Sequence, residues 1–339
     1  MQVTEIKGYS VKFPMNLPII LLSNNGGSNI SHVTMFILQG FSIEYLSQVV
    51  LFIVFLLIYL LSIMTNVLII CIVKMAPHLH KPMYFFLSNF AFLEIWYISV
   101  TVPKMLSDFL TQKKTISVKS CMMQFYLFFL FGSTENFLLA AMSFDRYVAI
   151  CYPLRYLLIM NESFCRLLAA GAWIISVIAM TVVMIPITRL SFCGSNVIDH
   201  VFCDFSPLVK IACQGVKLSE VIFFFLAGLV SGGCFILIIA SYTHIILTVL
   251  STSSASRLRN AFTTCASHFL VIFIYYGTVI FIYMRPSASI SFQVDKVVSV
   301  FYSALTPLLN PLIYSLRNKE VREAIQNILA NRLSKRKGC

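Results

Sequence analysis

Residues 47–73 read SQVVLFIVFLLIYLLSIMTNVLIICIV. As a helix this run is long enough to cross the hydrocarbon core of a bilayer, which takes about 20 predominantly apolar residues. Six more stretches pass the same test, at 83–103, 121–145, 165–188, 218–249, 261–283 and 297–315. The stretch 218–249 is longer than a bilayer requires and predicts a helix that tilts or protrudes. The reading is an all-α membrane protein: a seven-transmembrane helix bundle over 47–315, a mostly polar N-terminal segment 1–46 and a basic tail 316–339. In that tail Val321, Ile325 and Ile328 alternate with Arg322 and Arg332, the pattern of a short amphipathic helix lying on a membrane surface.

The composition points the same way. Of 339 residues, 59% are hydrophobic and 11% charged, with a mean hydropathy of +0.87, whereas a soluble domain carries about 25% charged residues. Thirty Phe and 15 Tyr exclude a disordered chain. The net charge of +12 reads as Lys and Arg flanking membrane helices, and no nucleic-acid partner is expected. The apolar run 17–22 is too short for a signal peptide, so 47–73 is expected to open insertion.

Orientation follows from small biases that agree. With the N-terminus outside, 14 of the 25 Lys and Arg fall on cytoplasmic segments. Asn29-Ile30-Ser31 is then an outer glycosylation sequon, and Asn161-Glu162-Ser163 faces the cytosol unused. Cys121, Cys193, Cys203 and Cys213 all fall outside, an even set that reads as two disulfides with three connectivities open. Their spacing does not resemble a zinc site. Cys71, Cys151, Cys165, Cys234 and Cys265 lie in or beside spans as small buried hydrophobes, and Cys339 is terminal.

Catalysis finds no support. The six His make no paired metal spacing within the bundle, and no phosphate loop or nucleophile elbow appears. No period of 20–50 residues recurs. A matched pair of interrupted helices, the usual transporter signature, is also missing. A receptor is the first reading and a multi-span transporter or channel the second. A ligand-evoked signal that needs a G protein separates them from ligand flux or current.

Polar groups inside apolar helices are costly and usually functional, and four strings carry them. Helix 2 opens Pro82-Met83-Tyr84-Phe85-Phe86-Leu87-Ser88-Asn89. Helix 3 ends Met142-Ser143-Phe144-Asp145-Arg146-Tyr147-Val148-Ala149-Ile150-Cys151. Helix 6 begins Ala261-Phe262-Thr263-Thr264-Cys265-Ala266-Ser267-His268, and helix 7 contains Asn310-Pro311-Leu312-Ile313-Tyr314. In this order and at these ends, the strings make residues 36–321 resemble a rhodopsin-like G-protein-coupled receptor. Within that class the chain resembles the odorant (olfactory) receptor family, of the large tetrapod class II type. Three positions depart from the family pattern: Thr65 stands for Gly, Asn260 for Lys and Glu94 for Asp. The first 28 residues exceed the family's short N-terminus, with Met15 as a second candidate initiator.

The resemblance implies a small-molecule odorant as ligand and a heterotrimeric stimulatory G protein as partner, with cyclic AMP as output. It also implies a plasma-membrane location with the N-terminus extracellular. In the outer half of helix 3, Phe125, Phe128, Phe129, Gly132 and Ser133 follow i, i+3, i+4, i+7 and i+8, one continuous stripe. Bundle packing explains such a stripe equally well; the resemblance places it on the ligand-facing side. Its implied partners are Leu226 and Val230, then Tyr276, Val279, Ile280 and Tyr283, and Ser303. Such a pocket is apolar with a few hydroxyls and no acid, which suits a small neutral organic ligand.

For coupling, the resemblance implies a latch of Arg146 on Asp145 beside Tyr147, with Tyr242 and Tyr314 rearranging when helix 6 swings out. Pro307 and Pro311 remove backbone donors where helix 7 must bend. The resemblance pairs Cys121 with Cys203 and leaves Cys193 with Cys213.

Glu94 lies about 18 Å into helix 2 from Pro82, and Glu135 about 15 Å outward from Asp145, at 1.5 Å per residue. Two carboxylates at one depth in an apolar bundle need a cation or a shared proton. No cofactor is expected beyond a structural Na⁺ held by Glu94 and Glu135, with Asn66 and Asn310 around it.

Overall fold

The computed structural model describes residues 33–41, 44–193, 195–251, 268–281, 292–317 and 320–327. Among them, six helices are long and apolar enough to span a bilayer, and a shorter apolar helix accompanies them. They are α1 (Tyr45–Met75), α2 (Pro82–Leu110), α3 (Val118–Cys151), α4 (Glu162–Ile187), α5 (Val216–Leu250) and α6 (His268–Phe281). Then comes α7, built from Phe292–Val300, Phe301–Leu305 and Thr306–Arg317. Residues 320–327 form α8.

Most of these helices run a few residues past the apolar stretches that announce them. Hydropathy marks the part in hydrocarbon, and the caps mark where the backbone turns. Ser117 accepts the Ser120 N–H at 3.1 Å and opens α3. Asn161 does the same for the Phe164 N–H at 2.9 Å and opens α4, so this sequon residue is a cap. Pro82 occupies the first turn of α2, where its missing N–H costs nothing.

α1, α4 and α5 form the rim of the bundle and are its most apolar helices. α2, α3 and α7 are more enclosed and carry the polar positions. Pro311 cannot donate to the Pro307 carbonyl four residues back. The Asn66 side chain of α1 supplies that hydrogen bond instead, at 3.0 Å, and a second to the Ser62 carbonyl at 2.9 Å. Thr65 donates to the Leu61 carbonyl at 2.8 Å, so the departure from Gly is accommodated within α1. Five-residue π turns interrupt α5 at Gly228–Gly232 and α7 at Phe301–Leu305.

One end of the bundle, here the cap end, carries short strands that the helical reading did not include. β1 (Met35–Leu38) pairs antiparallel with β2 (Thr115–Ser117) and parallel with β4 (Val197–Ile198). β3 (Ser191–Phe192) pairs with β5 (Ala212–Gln214). β1 alternates as a half-buried strand must, with Phe36 and Leu38 inside and Met35 and Ile37 outside. Disulfides Cys121–Cys203 and Cys193–Cys213 tie the loop to α3 and to itself.

Lys296 of α7, only 2% exposed, donates to the Gly40 carbonyl at 2.9 Å and pairs with Asp199. Burial pushes the neighbouring His200 imidazole down to about 4, so the ring is neutral near pH 7. At the opposite end, α8 buries Val321 of the expected apolar face together with Ala324; Ile325 is half-buried, and Ile328 lies outside the described residues. Glu320 there accepts from Lys81 and from the Tyr84 hydroxyl of α2.

Candidate functional site

Below the cap the helices line a cavity of about 390 Å³, within the range of small-molecule sites. α3 supplies one wall through Phe128, Phe129, Gly132 and Ser133, four of the five stripe positions. Leu226 and Val230 of α5 line it, as do Tyr276, Val279 and Ile280 of α6.

Two of the expected pocket residues lie elsewhere, and a third cannot be placed. Phe125 is fully buried behind the lining, its ring 4.8 Å from Phe129 and 6.4 Å from Phe223, because those two rings stand between it and the cavity. Ser303 sits inside the π turn of α7 and turns its hydroxyl back to the Val300 carbonyl. Tyr283 lies outside the described residues, as do Asn29, Met15 and Asn260.

The cavity floor holds residues that the stripe did not reveal. Asn136 is one turn beyond Gly132 and Ser133 on the same face. Its amide donates to the Tyr275 hydroxyl at 2.6 Å and to the Gly132 carbonyl at 3.0 Å. Its Oδ1 accepts from the Tyr276 hydroxyl at 2.8 Å, while Tyr275 donates to the Gly132 carbonyl at 2.9 Å. These four groups satisfy one another and strap α6 to α3 directly under the cavity. A polar Asn in an apolar run, adjacent to Glu135, was the signal for it.

Tyr97 and Tyr302 complete the floor from α2 and α7, with Tyr97 stacked on Phe128 at 5.2 Å. The Ser133 hydroxyl accepts from Ser176 of α4 at 3.0 Å and keeps its own proton for another acceptor. No charged side chain lines the cavity among the described residues.

Ten residues along α3 from Asn136, or about 15 Å, is the opposite end of the bundle. There the Asp145 carboxylate is fully buried, with Oδ2 3.1 Å from an Arg146 guanidinium nitrogen. Its Oδ1 accepts from the Tyr156 hydroxyl at 2.8 Å, from the short helix Tyr156–Ile159. Tyr156 is a partner that the motif reading did not name. The Tyr147 ring leans on His244 of α5, 5.7 Å away, and Tyr242 lies buried 6.0 Å from Phe269 of α6. Tyr314 belongs to the last segment of α7; its side chain lies outside the described residues.

Between the two ends are the buried carboxylates. Asn310, which precedes Pro311, donates to Glu94. Glu135 is buried in the field of Glu94. Glu135 Oε1, Asn66 Oδ1 and Asn310 Oδ1 are buried oxygens that accept no hydrogen bond among the described residues.

The comparisons with known proteins agree with this geometry. The olfactory receptor family model matches residues 55–332. Olfactory receptor 6B9 of Mus musculus is 46% identical over 302 residues, 89% of this chain and 96% of its own length. Olfactory receptor 6Y1 of Homo sapiens is 45% identical over 296 residues, 87% of this chain and 91% of its own. The crystal structure of squid rhodopsin superimposes with a TM-score of 0.64 at 18% identity, over 86% of this chain and 87% of that one, a likeness of fold. Match, identity and bundle together establish that this multi-pass membrane protein belongs to the olfactory receptor family of G-protein-coupled receptors, which are not enzymes.

Proposed function

We propose that this receptor binds small, neutral, mostly apolar organic molecules in the cavity beneath the cap. Binding there activates a stimulatory heterotrimeric G protein and raises cyclic AMP. In this reading the cap end and the segment 1–46 are extracellular, the Arg146 end and the tail 316–339 are cytoplasmic, and the membrane is the plasma membrane. The observation that carries it is the cavity's chemistry: apolar walls, a few hydroxyls and, among the described residues, no ionised group to pair an acid or an amine.

The test is a panel of neutral alcohols, ketones and esters beside matched amines and carboxylates. It is applied to cells carrying the receptor and an olfactory-type stimulatory G protein. Cyclic AMP is expected to rise with members of the neutral set. A response confined to the ions, or ligand flux through purified receptor without a G-protein response, overturns the reading.

We infer also that Glu94 and Glu135 hold Na⁺. The support is the set of buried oxygens without donors at Glu135, Asn66 and Asn310, which suits a hard cation better than a hydrogen-bond donor. Glu94 and Glu135 are the charged ligands; Asn310 orients Glu94, and Asn66 fixes α1 on α7 beside them. A bound cation offsets the repulsion of two carboxylates and favours whichever bundle binds it better. Thermal unfolding of purified receptor is expected at higher temperature in Na⁺ than in a bulky organic cation at equal ionic strength. Glu135→Gln removes the difference. Equal melting in both salts assigns the pair a shared proton instead.

A further inference from the structure

The cavity wall has an exposed stretch, a gap, along α5, the helix that packs beside α4. Phe224 and Gly228 of α5 line the cavity and also face the outside of the bundle, with Phe224 49% exposed. A methyl group added to Gly228, or to Gly232 one turn along, would meet nothing within 4 Å beyond its own helix. The π turn Gly228–Gly232 lies at this point, and Ala179 and Val183 of α4 line the same cavity. α4 has 26 residues, about 39 Å, and exceeds the roughly 30 Å hydrocarbon core by some 4–5 Å at each end if centred. Ala179, eight residues or about 12 Å from its cap end, therefore lies within the hydrocarbon, and so does the gap.

Among the described residues, the cap end is roofed. Phe202 lies 4.8 Å from Phe128, Phe205 stacks on Phe223 at 3.8 Å, and Cys203 is bonded to Cys121 beside them. None of the described residues of the loop 188–215 lines the cavity. A neutral apolar molecule is also more concentrated in the bilayer than in water, by about fourfold for each methylene group.

We propose that the cavity is loaded sideways from the bilayer, through the gap between α4 and α5, with the Phe224 ring as a flap across it. The proposal rests on the reading of the cavity as the ligand site, but its test needs no ligand. Val279→Cys places a reporter thiol in the cavity. The background has Cys71, Cys151, Cys165, Cys234, Cys265 and Cys339 replaced by Ser and both disulfides kept. The receptor is held in lipid nanodiscs, and modification is followed by mass spectrometry. The probes are methyl methanethiosulfonate, which is neutral and enters lipid, and its trimethylammonium-ethyl analogue, which does not.

The neutral probe is expected to react at least tenfold faster than the charged one, after each rate is normalised to a free thiol. Gly228→Leu, which fills the gap, slows the neutral probe at least tenfold, and Phe224→Ala speeds it several-fold. The opposite signs separate a gate from a folding defect. Equal normalised rates for the two probes, or a neutral-probe rate indifferent to both substitutions, place access at the cap end and overturn the proposal. These outcomes are read whether or not any odorant activates the receptor, so the odorant reading fails or stands by its own assay.

Discussion

Arg146→Ala is expected to abolish G-protein activation while surface level and ligand binding stay within twofold of the unmutated receptor. The guanidinium lies about 15 Å along α3 from the cavity floor, and it is ion-paired with Asp145. Nothing that lines the cavity touches it, so the loss belongs to coupling. Asp145→Asn is expected to act with the opposite sign. Removing the carboxylate's charge weakens the hold on Arg146 and raises ligand-independent nucleotide exchange several-fold, because charge-assisted hydrogen bonds to a buried group are worth about 1.5–3 kcal/mol. Tyr156 still has an oxygen to donate to in that variant. Nucleotide exchange on purified G protein checks both substitutions. Unchanged exchange with Arg146→Ala, or lowered basal exchange with Asp145→Asn, would show that this pair is no latch.

Cys121→Ser is expected to keep most of the receptor from reaching the cell surface. The bond joins residues 82 apart, for which loop-closure entropy gives about 4.5 kcal/mol; helices that stay inserted in the bilayer reduce that figure toward the lower part of the usual range of about 2–5 kcal/mol. Domain stabilities of about 5–15 kcal/mol leave little reserve for such a loss. Gln124 limits the damage: it accepts the Cys203 N–H at 3.0 Å and donates to the Val100 carbonyl of α2 at 2.9 Å, so part of the roof is held without the bond. Cys193→Ser releases a separation of only 20 and is expected to lower surface level less. Surface immunostaining and melting temperature check the order. A Cys121→Ser receptor with the unmutated surface level and melting temperature would show that the roof is held by packing alone.

The parts of this fold that could be read in the sequence are those set by solvent. α1 to α7 appear as apolar runs because a bilayer leaves the backbone no partner but itself. What surrounds the runs was less visible. β1, β3, β4 and β5 are two to four residues long, and their partners lie far off in sequence, so no local period announces them. The stripe on α3 gave the face but not its limits. At 100° per residue Phe125 and Phe129 lie about 40° apart on one face, and the rings of Phe129, Phe205 and Phe223 packed on Phe125 set it against protein. Asn136 was legible in principle. Its value depends on Tyr275 and Tyr276, 139 and 140 residues away, and that pairing is a fact of packing. The disulfide pairing came from family resemblance and the structure forms it, since parity alone leaves three choices.

The division of labour around the cavity bears on how such a gene diverges after duplication. Leu226, Val230, Val279 and Ile280 line the cavity and have no side-chain group that could hydrogen-bond to the rest of the bundle. A methyl group on Gly132 would come no closer than 3.9 Å to the Tyr302 hydroxyl, an ordinary contact. The straps that hold the bundle, from Asn136, Asn66, Gln124 and Lys296, involve none of these side chains. Drift at the lining positions therefore reshapes the space by single methyl and methylene groups without crossing a fitness valley of misfolding. On the proposed reading of the cavity as the ligand site, selection on ligand preference and selection on foldability then act on separate sets of codons.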